Sequence, residues 1–388
     1  MKNFILLTFF LSLKLAAQTP LTIWTSNESI KKALTPLATK FANDFKHPVE
    51  INILNKDLTS QFKTAALTNK GPDIFLWAHD VVGELAESGL LAPIQLPKKL
   101  RDQLLPVALE AFSYKGQLYG YPYDLEAVAF FCHKKLVPKI PETFEQLLHD
   151  YASLQNPKEN RFIFLYDIKN FFFSFPFIAA DGGYIFKNTA EGLNAKDVGL
   201  ANSGAQTGFK FIRYLAQNKF IPTSTDRSIA FGHFKEGKVG CTIDGPWALA
   251  DLRAAKIPYS VSTIPKISGK SPRPFIGAHG LMIRRTSPNL ELAQEFIEKY
   301  VMTKAGQLSL YQEDPRGPTQ LEAIKELSIK DPDLRAFLES AKLGIPMPNI
   351  PAMGPVWGAM GTALTRAVES QDELNKILQD AQLQILVK

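Results

Sequence analysis

Four tryptophans and a handful of carboxylates carry the chemistry open to this chain. Trp77 ends the stretch Gly71-Pro-Asp-Ile-Phe-Leu-Trp77-Ala-His-Asp80, and Trp247 lies in Asp244-Gly-Pro-Trp247-Ala248. In both, an apolar strand-like run gives way to a tight turn that presents a large flat ring. Trp357 follows a proline-rich break. Such rings suit the axial C–H face of a pyranose, whose hydroxyls then need charged or amide partners in the ring plane. Apolar walls with a few placed polar groups describe most small-molecule sites. Phe171-Phe-Phe-Ser-Phe175 reads either as a further aromatic wall or as a buried strand or helix edge. Asp80 and Glu126 are the two carboxylates that glycoside hydrolysis would require, but carboxylates at strand ends more often bind a ligand or cap a helix. No Gly-x-Ser-x-Gly, His-Glu-x-x-His, phosphate-cradling glycine loop or Cys-x-x-Cys occurs. The six histidines lack metal-ligand spacing. No catalytic residue, metal or cofactor is expected; the pattern fits a cleft that holds a solute.

The elements that position these residues alternate. Leu21–Thr25 reads as a strand, Ser29–Phe45 as a helix, Val49–Leu54 as a strand, Thr59–Thr68 as a short helix and Ile74–Trp77 as a buried strand. This β-α-β-α-β order opens an α/β sheet. Ligands of such sheets lie beyond the carboxyl ends of the strands, where Trp24–Glu28 and Trp77–Asp80 fall. Strands at Val128–His133 and Val239–Ile243 and helices at Ala205–Gln217 and Leu290–Val301 continue the alternation. The last sixty residues read as helices broken by Ile345-Pro-Met-Pro-Asn-Ile-Pro351, because each proline pushes its predecessor out of the α region. At 388 residues the chain exceeds what one core usually serves, so two lobes are expected.

The start of the chain points to export. Met1-Lys2-Asn3 is basic, Phe4–Leu13 is apolar but shorter than the ~20 residues a bilayer needs, and Leu15-Ala16-Ala17 sets small residues before Gln18. A signal peptide cleaved after Ala17 is expected. No cysteine lies near the cut, so the expected location is the periplasm, as a soluble protein. Without residues 1–17 the chain loses Lys2 and Lys14 and no acid, so the formal charge falls from +6 to +4. That excess forms no basic block, and nucleic acid is not an expected partner. Cys132 and Cys241 either pair in this oxidising compartment or remain two buried thiols.

On these residues the chain resembles the maltose/maltodextrin-binding protein family, the solute receptors of ABC importers. The resemblance runs from about Leu21 to the C-terminus. Its most specific stretches are Ile178-Ala-Ala-Asp-Gly-Gly-Tyr184 and Met347-Pro-Asn-Ile-Pro351, joined by Trp77-Ala-His-Asp80, Ser88-Gly-Leu-Leu-Ala92 and Asp244-Gly-Pro-Trp-Ala248. It implies a type II periplasmic-binding-protein fold, α/β, with two lobes that are open sheets flanked by helices and joined by several hinge crossings. The implied layout is a signal peptide at 1–17, one lobe from 18–125 and 277–320, and the other from 126–276 and 321–388. Crossings fall near Leu125–Ala127, Phe275–Ala278 and Arg316–Glu322. The implied aromatic platform is Trp77, Trp247, Trp357 and Phe173, and the implied acidic positions are Glu28, Asp80 and Glu126. Phe172 and Met347 complete the expected ligand-binding set, while Trp24 falls on a core position. The implied partners are an oligosaccharide and an inner-membrane ABC permease, with the receptor a monomer.

Several of the family's polar positions are changed. Its lysine after the first acidic residue is Ser29 here, and its arginine after Trp-Ala-His-Asp is Val81. Its glutamate and tyrosine in the aromatic run are Asn170 and Phe172. Its tyrosine and arginine after the last tryptophan are Gly358 and Gly361, and an acidic pair in the second helix is Thr59 and Ser60. A hydrogen bond to a charged group is worth about 1.5–3 kcal/mol, so these changes weaken binding or make room for a different sugar. Carboxylates only accept hydrogen bonds. With both cations lost, the expected ligand is rich in donors, an amino sugar being one example.

Overall fold

The computed structural model describes residues 19–54 and 57–387; the expected signal peptide at 1–17 lies outside them. Within them, Leu21–Thr25 pairs in parallel with both Val49–Ile53 and Ile74–Ala78. The intervening helix, Glu28–Phe45, buries Ile30, Ala33, Leu34, Ala38 and Phe41. That spacing keeps one apolar stripe against the sheet. Asn27 caps the helix, its side-chain oxygen accepting from the N–H groups of Ser29 (2.8 Å) and Ile30 (3.3 Å). The Gly71-Pro-Asp73 turn is a structural pin. The Asp73 carboxylate accepts from Thr22 N–H at 2.8 Å, Ser287 Oγ at 2.6 Å and Asn289 Nδ2 at 3.2 Å.

The complete first sheet has the order Val49–Ile53, Leu21–Thr25, Ile74–Ala78, His279–Ile283, Tyr121–Pro122. Its fourth strand returns from far along the chain and runs antiparallel to Ile74–Ala78, placing Gly280 opposite Trp77. A second sheet has the order Tyr259–Ser262, Ala129–His133, Val239–Asp244, Phe162–Leu165. Here Ala129–His133 is antiparallel to both neighbours, while Phe162–Leu165 runs parallel to Val239–Asp244. Each sheet has its own hydrophobic core. The first gathers Phe41, Phe75, Tyr121, Met282 and Phe296; the second gathers Phe130, Phe164, Phe177, Phe337 and Leu364. The fold is thus mixed α/β and two-lobed.

The segments between the lobes lie side by side. Asp124–Leu125 pairs with Gly317–Pro318, Glu126 bridges Gly277, and Phe275–Ile276 pairs with Ile345–Pro346. The helices Pro332–Leu343, Met353–Glu369 and Leu374–Leu386 close the chain. The proline-rich break between the first two is an extended strap. Among the described residues no helix is long and apolar enough to cross a membrane.

Cys132 and Cys241 face one another across adjacent antiparallel strands, with Cα atoms 4.1 Å apart, and form a disulfide. Of the two readings left open by the sequence, the paired one holds. The bridge joins positions 109 residues apart. In the chain-entropy treatment a loop of about 100 residues corresponds to ~4.7 kcal/mol, and measured losses run about 2–5 kcal/mol. The Cys132→Ala/Cys241→Ala double variant is therefore expected to unfold at clearly lower urea than the oxidised wild type. An unchanged midpoint would contradict a stabilising bridge.

Candidate functional site

Strand Ile74–Ala78 ends in a single 3₁₀ turn, His79–Val81. His79 is fully buried. Its Nδ1 accepts from the Ala278 N–H at 3.1 Å and its Nε2–H donates to the Met347 carbonyl at 2.8 Å, an arrangement that suits the neutral ring. Burial lowers its pKa, outweighing the opposite pull of the Met347 carbonyl and of Asp80. The same turn aims Asp80 at the other lobe. Its Oδ2 accepts from Trp357 Nε1–H at 3.0 Å, and its Oδ1 is sealed from solvent without a partner. Burial pushes the Asp80 carboxyl above the usual aspartate value, against the lowering by His79 and Trp357. Trp357 stands on the Met353–Glu369 helix of the second core. Beside it, a Cβ built at Gly358 or Gly361 would meet nothing within 4 Å. The two missing side chains leave open space.

Aromatic contacts run on from Trp357. Asn170, at a changed polar position, caps the Phe171–Ala179 helix by accepting from Phe172 N–H at 3.0 Å. Phe171 meets Trp357 edge-on at a centroid distance of 5.9 Å. Phe275 lies 6.2 Å from Trp357 and 5.9 Å from Phe172. Phe172 and Phe173 reach Trp247 at 6.1 and 6.3 Å. Phe173 is 5% exposed and backs the wall. Phe172, Trp247 and Trp357 are half-buried and show part of their rings.

Trp247 is fixed from below and capped from above. Asp244 is buried and gripped by two arms of Arg227, each at 3.0 Å. It also accepts from Gly245 N–H at 2.8 Å, which sets the turn. A Cβ at Gly245 would fall 2.2 Å from the Trp247 ring, so the indole rests on bare backbone. Over the ring lies the Arg316 guanidinium, 5.4 Å from the centroid. That contact is worth about 0.5–2 kcal/mol.

Arg316 anchors a buried ion cluster that the sequence reading missed. Its Nη1 lies 2.5 Å from Glu126 Oε2. Its Nε is 2.9 Å from Asp314 Oδ2 but better aligned with Oδ1 at 3.2 Å. His279 joins through Asp124, whose Oδ1 accepts from the His279 backbone N–H at 2.8 Å and lies 3.1 Å from the ring Nδ1. Burial would lower the His279 pKa, but the Asp124 and Glu126 carboxylates raise it above its ordinary value. Burial would raise Asp124, but His279 and Arg316 bring it below the usual aspartate value. In Glu126 burial wins over His279 and Arg316, and the carboxyl is pushed up. The pair of family cations absent at Ser29 and Val81 is therefore not the whole account, since a third cation stands beside Trp247. A turn-like Asp314-Pro-Arg316-Gly stretch gave little local signal of it.

The remaining expected residues are not drawn into this chain of contacts. Glu28 is exposed in the first turn of its helix and Trp77 is half-buried against the first core. Met347 is 5% exposed and takes part through its carbonyl. A cavity of about 1060 Å³ opens beneath the strap, lined by Tyr114, Phe175, Tyr184, Arg273 and Pro346 among others. Of the expected residues it touches only Met347.

Residues 36–336 match the family described as bacterial extracellular solute-binding protein. A maltotriose-binding protein of Pyrococcus abyssi is 30% identical, over 86% of this chain and 72% of its own length. A maltooligosaccharide ABC transporter solute-binding lipoprotein of Streptococcus pneumoniae is also 30% identical, over 86% of this chain and 81% of its own. A galactooligosaccharide-binding protein of Bacillus subtilis is 26% identical, over 95% of this chain and 90% of its own.

His79, fully buried, and His279, partly buried beside Asp124, oppose each other in pH. His279, raised in the fold, adds stability that is complete below the ordinary value of 6.5 and lost as pH rises through its folded value. His79, lowered in the fold, costs stability as pH falls below 6.5. His133 is lowered by burial as well, so His279→Gln leaves His79 and His133 unopposed. The variant is expected to lose stability more steeply than wild type as pH falls from about 7.5 to 5.5, by at most ~1.4 kcal/mol per pH unit for one proton. Urea titrations across that range check this; parallel profiles would contradict it.

Proposed function

The chain belongs to the bacterial extracellular solute-binding protein family, and on that premise we propose that it is the receptor of an ABC sugar importer. Its ligand is a maltose- or maltodextrin-like oligosaccharide held between the lobes. In this reading residues 18–125 and 277–320 act as one lobe, and 126–276 with 321–388 as the other. The observation that carries it is the unbroken run Asp80–Trp357–Phe171/Phe275–Phe172–Trp247–Arg316–Glu126. It draws on both cores and sets an unbroken stretch of aromatic rings between hydrogen-bonding groups at either end, Asp80 at one and Arg316 with Glu126 at the other, a surface suited to a pyranose oligomer. Trp77 and Glu28 add to it from the first lobe as the lobes move. A receptor shifts only as far as its ligand's affinity differs between states. Sugar touching both lobes therefore favours their closure, and the closed complex is what an inner-membrane permease engages. The protein works in the periplasm after loss of the leader, and it binds without turnover.

A second reading keeps the fold and the cleft but changes the sugar. The likeness to a galactooligosaccharide-binding protein favours it, as do the altered positions Ser29, Val81, Asn170, Gly358 and Gly361. A thermal-shift screen of the mature protein against maltose, maltotriose, galactooligosaccharide, trehalose, cellobiose and glucosamine oligomers separates the two. Ligand at 100 times its dissociation constant adds about 2.7 kcal/mol, a rise of roughly 5–10 °C for a domain of about 150–250 residues. A rise with maltotriose is expected. Silence there with a rise for another sugar selects the second reading, and silence throughout removes the sugar class.

Trp247→Ala is expected to weaken binding of the active sugar at least tenfold in calorimetric titration, with the fold retained by circular dichroism. Unchanged affinity would take Trp247 out of the site.

A further inference from the structure

Arg316 is 9% exposed, yet its hydrogen-bonding capacity is not exhausted. Asp314 takes Nε and Glu126 takes Nη1. Nη1 also lies 3.2 Å from His279 Nδ1. Nη2 has no hydrogen-bond partner among the described residues and is not among the side-chain atoms sealed off unpaired. Nη2 is therefore reached by solvent, on a guanidinium whose Cζ lies 5.4 Å from the centroid of the Trp247 ring. Glu126 shows the complement. Its Oε2 is occupied by Arg316, while Oε1 is neither bonded nor sealed off. Gly277 keeps that side of the carboxylate clear. A Cβ there would stand 3.0 Å from Glu126 Cγ and 3.2 Å from Oε1. One ion pair thus offers a free donor edge and a free acceptor next to a half-buried indole.

We propose that Arg316 and Glu126 form a reading edge for two adjacent hydroxyls of one pyranose, one accepting from Arg316 Nη2 and its neighbour donating to Glu126 Oε1, while the sugar's apolar face packs beside Trp247. The inference rests on the receptor reading and deepens it. A guanidinium only donates and a carboxylate only accepts, so the edge assigns a role to each hydroxyl and thereby an orientation to the ring. The pair is already mutually neutralised, so it holds no surplus charge for an ionic ligand. An acidic sugar would meet Glu126, Asp124 and Asp314 around the same guanidinium. An ammonium in place of a hydroxyl would forfeit the bond from Nη2. The class that fits the edge as described is a neutral oligosaccharide with a vicinal diol. Arg316 lies outside the set that the sequence pointed to, because Glu126 is 190 residues away in the chain.

The test uses calorimetric titration of the full mature protein and its Arg316→Lys variant. The probes are maltotriose, galactotriose, and the monodeoxy derivatives of whichever binds. Lysine keeps a positive charge for Glu126 and Asp314 but lacks the second arm. Wild type is expected to bind one trisaccharide, with Arg316→Lys at least tenfold weaker. Two deoxy derivatives altered at adjacent carbons are expected to bind wild type at least tenfold more weakly than the parent, and to lose that penalty in the variant. A general loosening of structure would not remove the penalty at those two carbons alone. Equal affinity in the variant, or penalties that persist in it, would overturn the inference while leaving the receptor reading intact. If Arg316→Lys does not fold, wild type alone decides, and the absence of an adjacent pair of penalties overturns the inference. Binding of neither trisaccharide by wild type would sink the maltooligosaccharide and galactooligosaccharide readings, and this inference with them.

Discussion

Three passages of the chain between the lobes meet on one buried guanidinium. Asp124 and Glu126 come from the first, His279 follows the second, and Asp314 and Arg316 open the third. Desolvating such groups costs several kcal/mol per ion, and removing one partner from a buried pair typically costs about 3–5 kcal/mol. The cluster is thus tolerable only when complete, which holds the three passages in fixed register. The short pairings Asp124–Leu125 with Gly317–Pro318 and Glu126 with Gly277 are the backbone counterpart of the same constraint.

The aromatic wall hangs on this unit at one end. Arg316 caps Trp247, Trp247 meets Phe172 and Phe173, and the run continues to Trp357 and Asp80. At the other end the strap binds the first lobe through backbone. Met347 accepts from His79, Asn349 accepts from Gly83 N–H at 2.8 Å, and the Asn349 amide donates to the Ser113 carbonyl at 2.7 Å. The proline-rich break that interrupts the final helices therefore has a mechanical reason. An extended segment with free carbonyls can tie to a neighbouring lobe, whereas a helix would consume those carbonyls internally.

Much of the scaffold was legible because it depends on local spacing. The apolar period of Ile30, Leu34 and Phe41 announced the first helix. Trp77 and Trp247 were found because a strand followed by a tight turn leaves a short-range pattern. What escaped depends on pairing over long separations. His279–Ile283 is a short run whose place in the first sheet is set by Ile74–Ala78, some two hundred residues earlier. The disulfide follows from strand register, which brings Cys132 opposite Cys241, and spacing carries no trace of it. Arg316 lies 190 residues from Glu126 and sits in a stretch that reads as a turn. Positions transferred by resemblance are legible only where this chain keeps the residue. Ser29 and Val81 signalled a loss, and only the fold showed a different cation entering the wall.

One oligosaccharide that engages both lobes about this charged cluster would change the distance between them. The most direct measurement is the distance between spin labels on Leu67→Cys and Tyr214→Cys. Both sites are exposed, one on a helix of each lobe, and the native cysteines are already paired. The result expected is a distribution that shifts and narrows when the bound sugar saturates the protein. A distribution that stays the same while calorimetry shows the sugar bound would contradict the account.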